Sequence, residues 1–345
     1  MNGTVQSAAA PKGLRAAVIG VGAMGRHHAR LYAEMEGVEL VGVADTDPEL
    51  GAQVARRYNT RGFTDYRVML DTEKPDIVSL AAPTQSHALI ASDLIERGIH
   101  VLVEKPIALT VQEGQTLVEQ ARARRVTLGV GHVERFNPAM TALKERLDRG
   151  ELGQVFQISV RRVSGFPPRI RDVGVVLDLA THDLDVMCYL SGAKVVRVSA
   201  EIACHLDQRH EDMLCGLLRF ENDVIGLLHV NWLSPTKIRE LMVNGERGMF
   251  VVNYLTQDLC FYENGFQDGN WESLQVFRGM AEGRVISYPV GRREPLQVEL
   301  EAFVRAVLCD EPFMVSGEDG LRALALAQRL LDAGRQNRDM IVEQG

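Results

Sequence analysis

A glycine-rich segment near the start of the chain has the residue types and spacing that bind a diphosphate. Gly20, Gly22 and Gly25 form the pattern G-x-G-x-x-G, with Ala23 and Met24 in its variable positions. An apolar run precedes the pattern and a helix-forming stretch follows it, which is the context in which such glycines let a pyrophosphate approach a helix N-terminus. The alternative is a glycine turn without a ligand. We expect a dinucleotide to bind here.

An acidic residue 20 positions after Gly25 indicates which dinucleotide this is. Asp45 ends the second apolar run, where a carboxylate accepts hydrogen bonds from ribose hydroxyls and would repel a 2′-phosphate. Asp47 offers no compensating cation. The spacing therefore favours NAD over NADP as the cofactor. The alternative is that Asp45 is only a turn residue before Pro48.

The segment after the apolar run at 77–82 is a second candidate for cofactor binding. Open α/β sheets bind ligands at the carboxyl ends of their strands. Pro83, Thr84 and His87 should therefore border the nicotinamide half of NAD. The alternative is a helix cap by Ser86 with a solvent-facing His87.

A lysine and an Asp/His pair could carry out proton chemistry beside that cofactor. Glu104-Lys105-Pro106 closes the next apolar run, so Glu104 and Lys105 should lie at the same sheet edge and contact the cofactor. Asp178 and His182 are four residues apart in a predicted helix, which places them on one face. A histidine accepts a proton near neutral pH. The alternative for His182 is a buried residue with Asp178 as its hydrogen-bond partner.

Alternating apolar runs and helix-forming stretches position the first set of groups. The predicted strands are 14–20, 38–44, 77–82, 100–103 and 127–131. The predicted helices are 23–36, 48–58, 86–97 and 110–124, of which the second starts at Pro48 after Asp47. This rhythm is typical of a doubly wound α/β domain with a parallel sheet.

The rest of the chain changes to closely spaced β-rich runs. We predict strands at 155–163, 194–203, 213–220, 224–232 and 237–254, paired mainly antiparallel. Predicted helices are 174–190, 299–308 and 319–335. The expected domains are an extension at 1–13, a dinucleotide-binding domain at 14–135 and an α+β domain with an open antiparallel sheet at 136–345.

Three segments together resemble the signatures of a known family. The glycine pattern, Glu104-Lys105-Pro106 and the stretch 174–185 are similar, in order and spacing, to the motifs of the Gfo/Idh/MocA oxidoreductases. The resemblance runs from about residue 14 to the end of the chain. It implies a Rossmann NAD-binding domain, a C-terminal domain for substrate binding and oligomerisation, and hydride transfer between nicotinamide and a secondary alcohol of a sugar or cyclitol. It also implies homodimers or homotetramers formed through the exposed face of the C-terminal sheet.

The same resemblance implies a role for each chemical group. Lys105, Asp178 and His182 match the catalytic Lys, Asp and His of the family. His182 would accept the hydroxyl proton, Lys105 would stabilise the developing alkoxide, and Asp178 would hold the substrate hydroxyl or orient His182. Either the His or the Lys serves as the base in different members, and we favour His182.

Two stretches are similar to one subgroup, the UDP-N-acetylglucosamine 3-dehydrogenases. They are 131–139, which contains Arg135 and Asn137 as candidate substrate contacts, and 181–185. The likeness implies oxidation of the sugar C3 hydroxyl, and amination of the 3-keto product by a pyridoxal-phosphate aminotransferase. Glu134 is the alternative partner of Arg135, as its local ion pair.

Four arginines lie within eleven residues before the predicted catalytic helix: Arg161, Arg162, Arg169 and Arg171. Guanidinium groups bind diphosphates in a bidentate manner, and Arg169 is the candidate substrate contact. The alternative is that Arg162 and its neighbours are solvated or paired with acids of another subunit.

Composition excludes several other classes of protein. The chain of 345 residues has a net charge of -8, with 46% hydrophobic and 24% charged residues, so we expect neither nucleic acid nor an anionic membrane as partner. The segment 1–13 lacks the features of a secretory signal, which indicates a cytoplasmic protein. We expect no metal site, because the five cysteines form no C-x-x-C pair and His205, Asp207 and His210 fall in a polar loop.

The sequence leaves three interpretations of the function open, as well as the placement of one pair of histidines. The first is a dehydrogenase of a nucleotide sugar. The second is a dehydrogenase of a free cyclitol or monosaccharide such as myo-inositol, and the third is a non-catalytic dinucleotide- or sugar-binding sensor. His27-His28 follows the glycine pattern; one of the two histidines could face the cofactor, but the plainer interpretation places them on the helix surface.

Overall fold

The chain forms two compact units. The computed structural model describes residues 13–166, 173–206, 209–265 and 282–342, so the predicted extension lies outside the described residues except for Gly13. The first unit comprises the described residues up to Gly131 together with Glu299–Glu318. The second comprises the described residues of His132–Val298 and those from Asp319 onward. The expected division did not place Glu299–Glu318 in the first unit, because no local sequence pattern marks a late segment that returns to an earlier domain.

Six parallel strands form the sheet of the first unit. Their order is β3-β2-β1-β4-β5-β6, which is the order of a Rossmann fold. The strands are β1 Leu14–Ile19, β2 Val38–Ala44, β3 Arg61–Phe63, β4 Ile77–Leu80, β5 His100–Val103 and β6 Leu128–Val130. The apolar runs predicted five of them, because strands covered on both faces are apolar throughout.

Helices connect these strands. They are α1 Gly25–Glu34, α2 Pro48–Arg57, α3 Tyr66–Glu73, α4 His87–Glu96 and α5 Val111–Arg124. As predicted, α2 begins at Pro48, and the Asp47 side chain accepts hydrogen bonds from the N–H groups of Glu49 and Leu50. The sequence missed β3 and α3, because β3 is only three residues long and none of them is buried.

The second unit contains a nine-stranded sheet. Its order is β14-β13-β12-β11-β7-β10-β9-β8-β15. The strands are β7 Val155–Gly165, β8 Val195–Ala203, β9 Met213–Phe220, β10 Ile225–Asn231, β11 Leu233–Gly245, β12 Gly248–Asn253, β13 Asp258–Asn264, β14 Glu282–Tyr288 and β15 Met340–Ile341. Pairing is antiparallel except between β7 and β10, which run parallel. The predicted run 237–254 is a hairpin of two strands, since the chain turns at Glu246-Arg247.

Helices pack on one face of this sheet. They are α6 Pro138–Asp148, α7 Thr181–Ser191 and α9 Gly317–Gln336. A further helix, α8 Pro295–Cys309, lies mostly in the segment that belongs to the first unit. Leu143 of α6, Leu184 of α7 and Leu330 of α9 join the apolar core with Val160 and Leu218 of the sheet. The predicted helix at 174–190 is interrupted, because Val176–Ala180 forms a π-helical turn before α7.

The opposite face of the second sheet is open in the described residues. Along β9, Leu214, Gly216 and Leu218 are buried while Cys215 and Leu217 are exposed, which is the alternation of a strand with one covered face. Among the described residues, no helix combines the length and apolar character that crossing a bilayer requires.

Candidate active site

The glycine loop joins β1 to α1 in the first unit, and its three glycines have three different surroundings. Gly20 has a φ of +82°, and a Cβ there would lie 2.6 Å from the Ala82 nitrogen. A Cβ on Gly25 would lie 1.7 Å from the Gly20 carbonyl oxygen, so α1 can approach the loop only because residue 25 has no side chain. Gly22 faces open space, with nothing within 4 Å of a Cβ. The loop therefore has the room over Gly22, in front of a helix N-terminus, that a pyrophosphate requires.

Asp45 anchors this loop. One carboxylate oxygen accepts a hydrogen bond from the Val21 N–H at 2.8 Å, and the other accepts from the Asp47 N–H at 2.9 Å. The side chain is only half-buried. Asp45 therefore fixes the glycine loop and is not only a turn residue before Pro48. Its contact with a ribose stays a prediction.

His87 lies inside the first unit, not in solvent. Its side chain is 1% exposed, with Nδ1 2.8 Å from the Pro106 carbonyl oxygen and Nε2 2.8 Å from that of Ala82. Burial lowers the pKa of His87 by more than the two carbonyl partners raise it. The solvent-facing alternative is wrong, and so is the cap by Ser86, whose side chain makes no capping hydrogen bond. His87 instead joins the segments that follow β4 and β5.

Glu104 and Lys105 follow β5, as predicted. Glu104 is buried, whereas Lys105 is half-buried. Burial raises the pKa of Glu104. The hydrogen bond from His28 and the charges of His28, Lys105 and His87 lower it by more than burial raises it, so the pKa lies below the ordinary value. Glu104 is therefore an ionised carboxylate at neutral pH, directly before the candidate catalytic lysine.

His28 is a site residue that the sequence interpretation missed. It is 0% exposed and contacts Glu104, while its neighbour His27 is exposed. The interpretation of both histidines as helix surface is correct for His27 and wrong for His28. Helical periodicity carried the signal, because His28 is three residues after the buried Gly25 and four before the buried Tyr32.

Asp178 and His182 lie in the second unit, at the junction of the π-helical turn and α7. Both side chains are partly exposed, in contrast to those of Asp183 and Asp185, which are buried. The His182 ring packs edge-on against His132, with centroids 5.9 Å apart. π-Helical turns are frequent at functional sites because they change which side chains share a face.

The start of this turn is held by Glu211. The Val175 N–H donates to the Glu211 carbonyl at 2.8 Å, and the Val176 N–H donates to its side chain at 3.2 Å. A Cβ on Gly174 would lie 2.0 Å from that carboxylate, so only glycine fits there. The buried acid thereby satisfies the first donors of the segment that carries Asp178.

The predicted arginine cluster is divided by the structure. Arg161 is exposed, whereas Arg162 is 2% exposed and pairs with Asp183 and Glu134 of the same chain. Burial alone lowers the pKa of Arg162, but the two carboxylates raise it above its usual range. Both expectations for Arg162, solvation and pairing with another subunit, are therefore wrong, and its guanidinium is engaged within the unit. Arg169 and Arg171 lie outside the described residues.

Arg135 and Asn137 are also engaged inside the second unit. Arg135 pairs with Asp185 and Asp319, not with Glu134, whose partners are Arg162 and Arg239. The local pair of Glu134 with Arg135 is thus wrong.

Asn137 caps α6, accepting from the Ala139 N–H and donating to the Tyr254 carbonyl, each at 3.1 Å. The structure gives Arg135 and Asn137 internal partners. Contact of Arg135 with a substrate stays a prediction, whereas the occupied amide atoms of Asn137 favour a structural role for that residue.

The described part of the chain offers no cluster of metal-binding side chains. No group of three or more His, Cys, Asp or Glu residues there could hold a metal ion. Asp207 lies outside the described residues.

Two family profiles match this chain. The profile described as "Oxidoreductase family, NAD-binding Rossmann fold" matches residues 14–132, and the "GFO/IDH/MocA C-terminal domain" matches residues 140–251. The chain belongs to the Gfo/Idh/MocA oxidoreductase family. It is therefore an NAD-binding oxidoreductase, as the glycine pattern and Asp45 predicted.

Members of the Gfo/Idh/MocA family with assigned activities are similar over most of the chain. The UDP-N-acetylglucosamine 3-dehydrogenase of Acidithiobacillus ferrooxidans is 30% identical over 91% of this chain and 95% of its own. A solved structure of that enzyme superposes with a TM-score of 0.83 at 30% identity, covering 93% of this chain and 97% of the other. The scyllo-inositol 2-dehydrogenase (NAD(+)) of Bacillus subtilis is 33% identical over 69% of this chain and 73% of its own.

Proposed function

We propose that this protein oxidises a secondary hydroxyl of a nucleotide sugar with NAD, at C3 of UDP-N-acetylglucosamine, to give the 3-keto sugar. One observation carries the choice of substrate: the likeness to the Acidithiobacillus ferrooxidans enzyme spans nearly the whole of both chains. The presence of Lys105, Asp178 and His182 in one sequence supports a catalytic over a purely sensory protein, because a binding module needs no such set.

NAD supplies the hydride acceptor of this reaction. The residues of the chain do the remaining work, since removal of a hydride from a carbinol carbon requires loss of the hydroxyl proton. His182 accepts that proton, and Lys105 stabilises the negative charge that develops on the oxygen. Asp178 holds the substrate hydroxyl or orients His182. The partial exposure of Asp178 and His182 supports this division of roles, since the neighbouring Asp183 is buried and paired.

The diphosphate of such a substrate needs cationic partners. Arg169 is proposed for that contact on chemical grounds, because arginine binds phosphate oxygens in a bidentate manner. Arg162 is not part of this proposal, since Asp183 and Glu134 already occupy its guanidinium.

The open face of the second sheet is proposed as the surface through which the chain forms dimers or tetramers. Its alternating exposed apolar side chains, such as Leu217 and Leu227, support this. A pyridoxal-phosphate aminotransferase is the proposed consumer of the product, because a 3-keto sugar is the substrate that such an enzyme aminates.

A free cyclitol is the second candidate substrate, supported by the likeness to the Bacillus subtilis inositol dehydrogenase. The test is NADH absorbance with NAD and either UDP-N-acetylglucosamine or myo-inositol, at enzyme concentrations that reveal a single turnover. NADH formed only with the nucleotide sugar is the expected result. NADH formed only with inositol would contradict the proposed substrate and leave the dehydrogenase chemistry standing.

Replacement of the lysine separates the enzyme from the sensor. Lys105→Met should abolish turnover while NADH binding, followed by fluorescence, stays near that of the wild type. Lys194→Met, at an exposed position, is the matched control and should behave as the wild type. A wild type that binds NADH but oxidises none of a wide panel of sugars would favour the sensor.

A further inference from the structure

A chain of buried polar side chains joins α1 to Glu104 in the first unit. His28 Nε2 lies 3.0 Å from Glu104 Oε1, and His28 Nδ1 lies 3.0 Å from Ser79 Oγ. The Tyr32 hydroxyl lies 2.9 Å from the same Ser79 oxygen. His28, Ser79 and Tyr32 are each 0% exposed, so all three bonds form away from water.

The direction of the bond to Glu104 follows from its charge. The pKa of Glu104 is below its ordinary value, and an ionised carboxylate can only accept hydrogen bonds. His28 Nε2 must therefore carry a proton and donate it. The other oxygen, Glu104 Oε2, accepts the Lys105 N–H at 3.3 Å. One carboxylate thus connects the helix after the glycine loop to the main chain of Lys105.

Packing alone does not account for this arrangement. Ser79 interrupts the otherwise apolar β4, in which all four residues are buried, and His28 and Tyr32 add two more polar groups to the same core. Apolar side chains would fill this volume without the desolvation that buried polar groups suffer. A hydrogen-bonded network does what apolar packing cannot, which is to fix the orientation of one carboxylate.

We propose that His28 is a positioning residue that holds the Glu104 carboxylate, and through it the main chain of Lys105, in the orientation that the reaction requires. This inference rests on the proposed role of Lys105 in turnover. Because His28 belongs to α1, the orientation of Glu104 depends on the position of this helix, which begins at Gly25 of the glycine loop.

Two amide variants separate the contacts of His28. The side-chain nitrogen of His28→Gln can take the place of Nε2 and donate to Glu104, whereas that of His28→Asn can take the place of Nδ1 and reach only Ser79. We expect His28→Gln to retain kcat within about threefold and His28→Asn to lose about 10- to 100-fold, the usual effect of a small misplacement of a reacting group. The KM for the sugar should change little in either. His27→Asn, at the exposed neighbouring position, is the control and should match the wild type.

A second measurement needs neither cofactor nor turnover. In protein labelled with ¹⁵N-histidine, the His28 signal, assigned by its loss in His28→Gln, should show a protonated Nε2 that exchanges slowly with water. Glu104→Ala should accelerate that exchange. An unprotonated Nε2, or exchange that Glu104→Ala leaves unchanged, would overturn the inference.

The kinetic outcomes distinguish this inference from the function on which it rests. An active wild type with equal kcat in the two amide variants would overturn the positioning role alone, because a residue needed only for folding would tolerate both amides alike. A wild type inactive toward every sugar would overturn the proposed function, and the positioning role with it.

Discussion

Arg162 and Asp183 form a bidentate ion pair inside the second unit. Arg162 Nε donates to Asp183 Oδ2 at 2.8 Å, and Nη2 donates to Oδ1 at 2.9 Å. The remaining nitrogen, Nη1, donates to Glu134 at 2.9 Å. Because Asp183 directly follows His182 in the chain, the pair ties the helix that carries the proposed base to β7.

Loss of one partner of this pair should destabilise the second unit strongly. Arg162→Met would leave Asp183 buried without its charge partner, and such a loss costs about 3–5 kcal/mol. Urea unfolding followed by circular dichroism measures the difference. Arg161→Met removes the exposed neighbouring arginine and should change the unfolding free energy by less than about 0.5 kcal/mol. Equal unfolding free energies of Arg162→Met and Arg161→Met would show that the Arg162–Asp183 ion pair does not stabilise the fold.

Gly22 and Gly25 of the loop should respond differently to an added methyl group. Gly25→Ala places a Cβ 1.7 Å from the Gly20 carbonyl, so the backbone must shift and we expect a loss of both stability and NADH binding. Gly22→Ala meets nothing within 4 Å, so its melting temperature should stay within about 2 °C of the wild type. Its NADH affinity should nevertheless fall about tenfold or more, because the methyl group occupies the space proposed for the pyrophosphate. Unchanged NADH affinity in Gly22→Ala would contradict that placement.

The fold of the first unit was largely predictable from local patterns. Buried parallel strands are continuous apolar runs, so β2 and β5 have the predicted bounds, 38–44 and 100–103. The return of Glu299–Glu318 to this unit was not predictable, because a contact between distant parts of a chain leaves no local pattern. The parallel pairing of β7 with β10 in the second sheet escaped prediction for the same reason.

Candidate chemical groups could be named from the sequence, but the contacts around them could not. Lys105, Asp178 and His182 could be named from their types and spacing, but which charges around them are paired depends on tertiary contacts. Arg162 pairs with Asp183 21 residues away, and His28 with Glu104 76 residues away. From the sequence alone, a charged residue in a strand is predicted to face solvent, because the residue of opposite charge that pairs with it in the fold is not known.

The acid stability of the first unit should depend on Glu104. Its pKa in the folded protein lies below the ordinary value of 4.5. The folded state therefore binds its proton less readily than the unfolded state, and the stabilisation is complete above about pH 4.5 and is lost as the pH falls through the folded pKa. Glu104→Gln cannot titrate, so the difference in unfolding free energy between wild type and variant should narrow as the pH falls below about 4.5. Urea unfolding as a function of pH measures this difference, and Glu36→Gln, at an exposed carboxyl, is the control. If the difference in unfolding free energy between wild type and Glu104→Gln stays constant with pH, Glu104 has the same pKa in the folded and unfolded states.

Asn137 offers a direct separation of a structural from a substrate-binding role. Its side chain is 1% exposed, caps α6 through the Ala139 N–H and donates to the Tyr254 carbonyl. Asn137→Ala removes the cap and leaves a buried carbonyl without its donor, so we expect a loss of about 1–3 kcal/mol in unfolding free energy. Asn137→Asp keeps the acceptor for Ala139 and should lose less. Because both amide atoms are engaged within the unit, the KM for the sugar should be unchanged in either variant at temperatures where it is folded. A KM that rises about tenfold without a matching loss of stability would instead assign Asn137 to the substrate.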